Sequence, residues 1–444
     1  MLFDAETPEQ RAHQAIQAAC GTSTAYYPQI GVAVATSAKP GFAARFGAAR
    51  AYSAQAEAVA AAQLHPDLGV ELTGPAVLPT AARLPAAAQK LAIDRSAEQW
   101  DMELINAPRA RPISRGSPAV LVGVLDSGVD ATHPDLAAAV DPTRSAGCLS
   151  GKPDQAPGAW SPSNSMHGTH VAGTIVAADD GRGITGVAPG VRLASVKVVD
   201  DGGFIYPEYA VCGFMWAVQQ RMRIANSSYF LDPWLLTCSD VPGQAVAYEA
   251  LRRAVRYATA HGVLSVAAAG NEQLDLANPR QDLRSPDNAP DPRPRPVSQQ
   301  CDVLPAELPG VIAVSAVGAQ RVKSGYSSYG LGVVAVTAPG GDSAQLPGVS
   351  PSGCVLSTIP GGYGYACGTS MAAPHASGVA ALLASVRPEA GPEELATLLR
   401  QQADPLPCPV SDTCTGFYGH GLVNAVTAVT ARSGHGGVAH RAQR

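Results

Sequence analysis

The sequence predicts a three-layer, doubly wound α/β protein with a mostly parallel sheet, preceded by a small α+β unit. Three observations carry that prediction. Apolar β-runs alternate with helical patterns from Ala119 onward, 45 glycines supply the many turns such an alternation needs, and the chain is 46% hydrophobic with only 15% charged residues. A composition of that kind fills a large buried core. At 444 residues the length suggests two or three domains. The formal net charge of −5 gives no basic field for nucleic acid, and no apolar run reaches the roughly 18 residues of a membrane span.

Taken in order, Pro8 to Ala19 reads as a helix, Gln29 to Ala35 as a strand, and Pro40 to Arg50 as a second short helix. The opening residues carry neither a basic n-region nor an apolar h-region, so no signal peptide is visible. Ala51 to Ala88 is Ala-rich with scattered Pro, the composition of a linker. Residues 1–100 are therefore read as the small unit and its linker, and 101–118 as a connecting stretch. The main domain is assigned to 119–431 and a flexible tail to 432–444.

The main domain opens on a continuous apolar strand, Ala119 to Leu125, that ends at Asp126-Ser127-Gly128. A central parallel strand delivers its last residue to the edge of the sheet where ligands bind. Next, His167-Gly168-Thr169-His170 opens a small-residue helix. Strands follow over Val191 to Val199, Met222 to Ser228, Val263 to Ala268 and Val311 to Ala316, with helices over Pro207 to Gln220 and Gln244 to His261 between them. Gly368-Thr369-Ser370-Met371-Ala372-Ala373-Pro374-His375 then leads into a segment apolar on every face, a buried helix whose first turn presents Ser370. There the unpaired N–H groups and the helix dipole favour a negative charge that appears during reaction. Alone, this stretch could equally be a Gly-Thr-Ser cap on a core helix. A serine hydroxyl becomes a nucleophile when a base takes its proton and a third group holds that base, which makes His167 and Asp126 its candidate partners.

Asp126, His167 and Ser370 stand in the order Asp, His, Ser, and the segments around them resemble the motifs of the subtilisin-like serine peptidases. Val266-Ala-Ala-Ala-Gly270-Asn271-Glu272 resembles a fourth motif of that family. The resemblance runs from about Ala119 to Ala428. It implies a serine endopeptidase acting on peptide or protein substrates, with an Asp126/His167/Ser370 triad and Asn271 supplying an oxyanion-hole donor. It also implies a zymogen, since Tyr27 to Val34 looks like the middle of the inhibitory pro-domain that precedes many such domains. That pro-domain would be the chain's own partner, with maturation falling within 101–118. Pro-domains of this kind usually begin with a further strand and an export signal, so the recorded start is read as internal to a longer gene product, the alternative being a member that has lost its export signal.

Two departures from the family pattern bear on specificity. Asn226-Ser227-Ser228-Tyr229-Phe230 replaces the usual Ser-Leu-Gly, which places Ser228, Tyr229, Phe230 and Gly270 at the substrate pocket with two bulky rings narrowing it. A polar, Pro-rich insertion over Glu272 to Gln300 reads as a surface loop. Asp135 and Asp180 match positions that help to bind a structural Ca²⁺ in the family, though Asp179-Asp180-Gly181 is also an ordinary turn. No cofactor is required for the chemistry.

His170, His261 and His375 are read as structural, and Asp130 as a turn residue. Nine cysteines without a CxxC pair argue for disulfides and export. Cys354–Cys367, Cys408–Cys414 and Cys238–Cys301 are the expected pairs, with Cys212 the unpaired thiol. The reading is thus a secreted, monomeric protease. The alternatives are a peptide-binding homologue blocked by Tyr229 and Phe230, or an intracellular processing enzyme.

Overall fold

The computed structural model describes residues 1–39, 41–47, 49–52, 93–288, 293–407 and 414–430. At its start, the helix Glu9–Ala18 packs on an antiparallel hairpin of β1 (Thr22–Tyr27) and β2 (Val32–Thr36). The sequence reading lacked β1 and began the other strand too early, because Pro28–Ile30 makes a 3-10 turn instead. Gly31 ends that turn at φ +60°, and a Cβ there would stand 2.5 Å from the Phe3 carbonyl oxygen. The second expected helix is the short Phe42–Phe46.

This unit rests on the helices Pro207–Gln219 and Gln244–Ala260 of the main domain. Leu2, Ile30 and Val32 join their apolar layer, and Arg253 donates to the carbonyls of Phe3 (2.7 Å) and Ile30 (3.0 Å).

The stretch 101–118, expected as a connection, is instead part of the main core. Trp100–Leu104 and Ala107–Ala110 are helical, and Trp100, Met102, Ile105, Ala107 and Ala110 are buried among the side chains that line the sheet. Their spacing follows neither a helical nor a strand period, so the intervening arginines and prolines masked them.

The main sheet contains β3 (Leu121–Asp126), β4 (Ala146–Gly147), β5 (Arg192–Lys197), β6 (Ile224–Ser227), β8 (Leu264–Ala268), β12 (Ile312–Val317) and β13 (Val336–Pro339). All pair in parallel, in the order β13-β12-β8-β6-β3-β5-β4. The inner strands β3, β6, β8 and β12 are buried along their whole length because both faces of the sheet are covered. Val122 and Val124 face the layer of His167–Val176 and Thr369–Val386, while Leu121 and Leu125 face the layer of Pro207–Gln219 and Gln244–Ala260. The expected three-layer architecture is therefore present, and the parallel direction brings Asp126, Ser227 and Ala268 out at one edge.

Smaller ladders brace the loops: β7 (Thr237–Cys238) pairs with β11 (Cys301–Asp302), and β9 (Gln281–Asp282) with β10 (Arg295–Pro296). The hairpin β14 (Val355–Ile359) and β15 (Gly362–Ala366) lies against the His167 helix. Disulfides Cys238–Cys301 and Cys354–Cys367 form as expected. The third bond corrects the sequence reading, since Cys212 is joined to Cys148 across 64 residues, a separation that no local pattern marks. Cys20 is the exposed free thiol among the described residues, and Cys408 of the expected Cys408–Cys414 pair lies outside them. Among the described residues no helix is long and apolar enough to cross a membrane.

Candidate active site

Asp126 is the last residue of β3, and His167 the first residue of the helix His167–Val176. His167 Nδ1 lies 2.7 Å from Asp126 Oδ1, with the two side chains only 2% and 1% exposed. The carboxylate accepts, so Nδ1 carries the proton and Nε2 is left as the basic nitrogen. That Nε2 is buried and has no hydrogen-bond partner among the described residues.

The approach depends on Gly168. A Cβ there would come within 2.4 Å of the Gly128 carbonyl oxygen and 3.1 Å of Asp126 Oδ1, so any side chain would push the helix away from the aspartate. Ser127 fastens the same junction, its hydroxyl accepting the Gly168 N–H at 3.0 Å. His170, one turn further on, is a different histidine. Its Nε2 lies 3.1 Å from the Val355 carbonyl, and burial, reinforced by the nearby His167, lowers its pKa to about 3. It is held neutral as a core group, as expected.

Ser370 is the second residue of the helix Thr369–Val386 and is buried at the mouth of the same edge. Pro374 shapes its surroundings. A proline has no N–H, so the Ser370 carbonyl four residues earlier loses its helical donor. The Ser228 hydroxyl takes that role at 2.9 Å, while the Ser370 hydroxyl donates back to the Ser228 carbonyl at 3.1 Å. Ser228 is fixed in turn by Asn226 Nδ2 (2.9 Å), and Asn226 Oδ1 accepts from Ser377 (2.8 Å), one more turn along the Ser370 helix.

Asn271 reaches the start of that helix from the loop after β8. Its Oδ1 accepts from both the backbone N–H and the hydroxyl of Thr369, each at 2.9 Å. That assignment commits the oxygen and leaves Nδ2 as the donor end of the amide. Gly270, at φ +102°, makes the turn and gives its N–H to the Thr369 hydroxyl at 3.2 Å.

The other expected site residues divide. Phe230 is half-buried beside the site, but Tyr229 is not a cleft wall: it is buried in the layer under Pro207–Gln219 and Gln244–Ala260, its hydroxyl 3.5 Å from that of Ser227. Burial raises its phenol. β6 ends at Ser227 and the chain then bends, with Tyr229 turned into the core and Phe230 left half-buried, a detail that a comparison of motifs does not register.

The insertion is likewise more than a surface excursion. Glu272 accepts the Asn271 N–H at 2.8 Å and pairs with Arg284 at 2.7 Å, burial raising its carboxyl and the guanidinium drawing it back. Fully buried Asp282 pairs with Arg295 at 2.9 Å.

The donor groups at Asp135 and Asp180 do not fit a calcium site. Asp135 Oδ2 already accepts from the Ile184 N–H (3.1 Å) and the Tyr363 hydroxyl (2.9 Å), and Asp180 is paired with Arg182 at 2.8 Å. Among the described residues three potential ligand groups cluster only at Cys238, Asp240 and Cys301, where both thiols are consumed in a disulfide.

The sequence profile of Peptidase_S8, the Subtilase family, matches residues 117–436. Fervidolysin of Fervidobacterium pennivorans is 33% identical over 327 residues, 69% of this chain but only 40% of that protein. Subtilisin of Bacillus pumilus is 31% identical over 332 residues, covering 74% of this chain and 98% of the relative. Among solved structures, a lanthipeptide protease superposes with a TM-score of 0.59 at 28% identity over 75% of this chain and 94% of that one. The epidermin leader peptide processing serine protease of Staphylococcus aureus matches in fold, with a TM-score of 0.69 at 20% identity over 96% of this chain and 97% of that one. A buried imidazole on a carboxylate, a helix-borne serine at the same sheet edge and a family match over most of the chain agree: this protein belongs to the subtilase family of serine proteases.

Proposed function

We propose that this chain is an endopeptidase that cleaves peptide bonds through Asp126, His167 and Ser370. The observation that carries the reading is His167 itself, with Nδ1 fixed on Asp126 and Nε2 left as a buried base at the edge where Ser370 emerges. In the reaction, the Ser370 hydroxyl turns from the Ser228 carbonyl to His167 Nε2, gives up its proton and attacks the substrate carbonyl carbon. Asp126 stabilises the imidazolium that results, and His167 returns the proton to the leaving amine. The oxyanion is held by Asn271 Nδ2 and the Ser370 N–H at the positive end of an 18-residue helix. A water then repeats the sequence on the acyl-enzyme.

The proposal includes a zymogen exported through an oxidising compartment and acting as a monomer, with the N-terminal unit as its inhibitory domain. Three disulfides support export over an intracellular processing role. A blocked peptide-binding homologue is disfavoured because Tyr229 lies in the core and obstructs nothing.

The test is hydrolysis of a peptide library together with labelling by a serine-directed fluorophosphonate. Wild type cleaves and takes one label; Ser370→Ala takes none and loses at least about 10⁴-fold in kcat. Equal labelling of both proteins, or no cleavage by wild type, overturns the reading.

A further inference from the structure

Arg284 belongs to the insertion, yet it touches both walls of the crevice that begins at Ser370. The parallel neighbours β6 and β8 last pair at Ser227 and Ala267, and beyond that point their chains diverge. One wall is formed by Ser228 and Phe230, and the Ser228 carbonyl holds the Ser370 hydroxyl. The other is Gly270 to Glu272, whose Asn271 side chain holds the start of the serine helix. On the peptidase reading, a substrate carbonyl set between Ser370 Oγ and Asn271 Nδ2 would direct the side chain of its own residue toward the gap between these walls. Across the gap, Arg284 Nη1 lies 2.7 Å from Glu272 Oε1, and its guanidinium carbon lies 5.5 Å from the centre of the Phe230 ring. Glu272 Oε2 meanwhile accepts the Asn271 N–H at 2.8 Å, so the carboxylate lines the wall beside the oxyanion donor.

We propose that Arg284 is a specificity-determining residue that closes this crevice and bars cationic substrate side chains from it. The assignment rests on the peptidase reading above. The guanidinium occupies the position a substrate Lys or Arg would take over Phe230 and against Glu272, and it repels a second positive charge. Because Glu272 already balances it, an acidic side chain gains little either, and the residue accepted at the scissile bond is uncharged. Removing the guanidinium leaves Glu272 as an uncompensated, largely buried carboxylate. A substrate cation then replaces the missing one.

The experiment compares kcat/KM for two peptides differing only in Arg or Ala at the residue whose carbonyl is attacked, each rate normalised to fluorophosphonate-titrated sites. Arg284→Ala raises the Arg-to-Ala ratio by about tenfold or more, since close buried charge pairs couple by more than about 1.4 kcal/mol. Arg284→Lys keeps the wild-type ratio, and adding Glu272→Gln to Arg284→Ala cancels the gain. Should Arg284→Ala fail to fold, Arg284→Gln keeps the stem over Phe230 without the charge and carries the same expectation. An unchanged ratio in an alanine or glutamine variant that labels normally overturns the role of Arg284. A wild type that neither labels nor cleaves overturns the peptidase reading, and this assignment with it.

Discussion

Asn271 shows how a single side chain is oriented for a task. An amide can present either end, and the two Thr369 donors on Oδ1 select the orientation with nitrogen outward. Asn271→Ala is therefore expected to lower kcat by about 10²–10³-fold with little change in KM, because the lost contact is made chiefly in the transition state. Steady-state kinetics on one peptide checks the split.

A second residue sets a pH dependence unrelated to catalysis. Glu307 accepts the Val303 N–H at 2.7 Å, and burial, with the nearby Asp302 charge added, raises its pKa to about 8. A carboxyl whose folded pKa lies above its unfolded value stabilises the fold fully below the unfolded pKa of about 4.3, and that contribution is lost as pH rises through about 8. In a Ser370→Ala background, which prevents self-digestion, Glu307→Gln should lose less melting temperature between pH 6 and pH 9 than its parent. A parallel fall in both proteins would show that Glu307 does not carry the effect.

At the level of elements, the serine helix is fastened from three directions. Ser228 replaces the hydrogen bond that Pro374 removes, Asn271 caps the start, and His375 joins its far side to the segment near residue 100. His375 Nδ1 lies 2.8 Å from the Met371 carbonyl and Nε2 lies 3.0 Å from Asp101 Oδ2, with both side chains fully buried. Removing one member of such a pair strands the other, so Asp101→Ala should cost about 3–5 kcal/mol in denaturant unfolding. A loss below about 1 kcal/mol would mean that the pair is dispensable.

The strand bearing Asp126 was legible in the sequence because it is an apolar run that ends in a small-residue turn, and the helices bearing His167 and Ser370 because each opens on a Gly- and Thr-containing turn and continues in small and apolar residues. The hairpin of β14 and β15 was not, since Gly362, Tyr363, Gly364 and Tyr365 are held by register against Val355–Ile359 rather than by their own pattern. The helices near Trp100 escaped for the same reason. Asp101 is polar in sequence and acquires its buried role only through a partner 274 residues away.

For the whole molecule, the integration of residues 94 to 118 moves the boundary between the two units. Asp94 bridges to Gly183, the Gln99 side chain donates to the Thr185 carbonyl and accepts its N–H, and Trp100 Nε1 donates to the Cys354 carbonyl. A cut inside this stretch would free side chains that line the main core. On the other side, Tyr52 lies at the start of the Ala-rich tract, and its hydroxyl accepts from Trp234 Nε1 at 2.7 Å. The N-terminal unit thus has its own contacts with the main domain at Trp234, at Arg253 and at the Gly151 carbonyl, which accepts from the Tyr27 hydroxyl at 2.8 Å. If the protein matures by cleavage, the bond lies between Tyr52 and Asp94, and the freed unit stays on its helical face until degraded. N-terminal sequencing of the processed protein, with size exclusion of the products, decides it. A new terminus within residues 53–94 and co-elution of both pieces supports this division, since the apolar contacts of Leu2, Ile30 and Val32 survive the cut. A terminus between Gln99 and Pro118 would mean that the buried helices of that stretch are remodelled on maturation, and the division drawn here would fall.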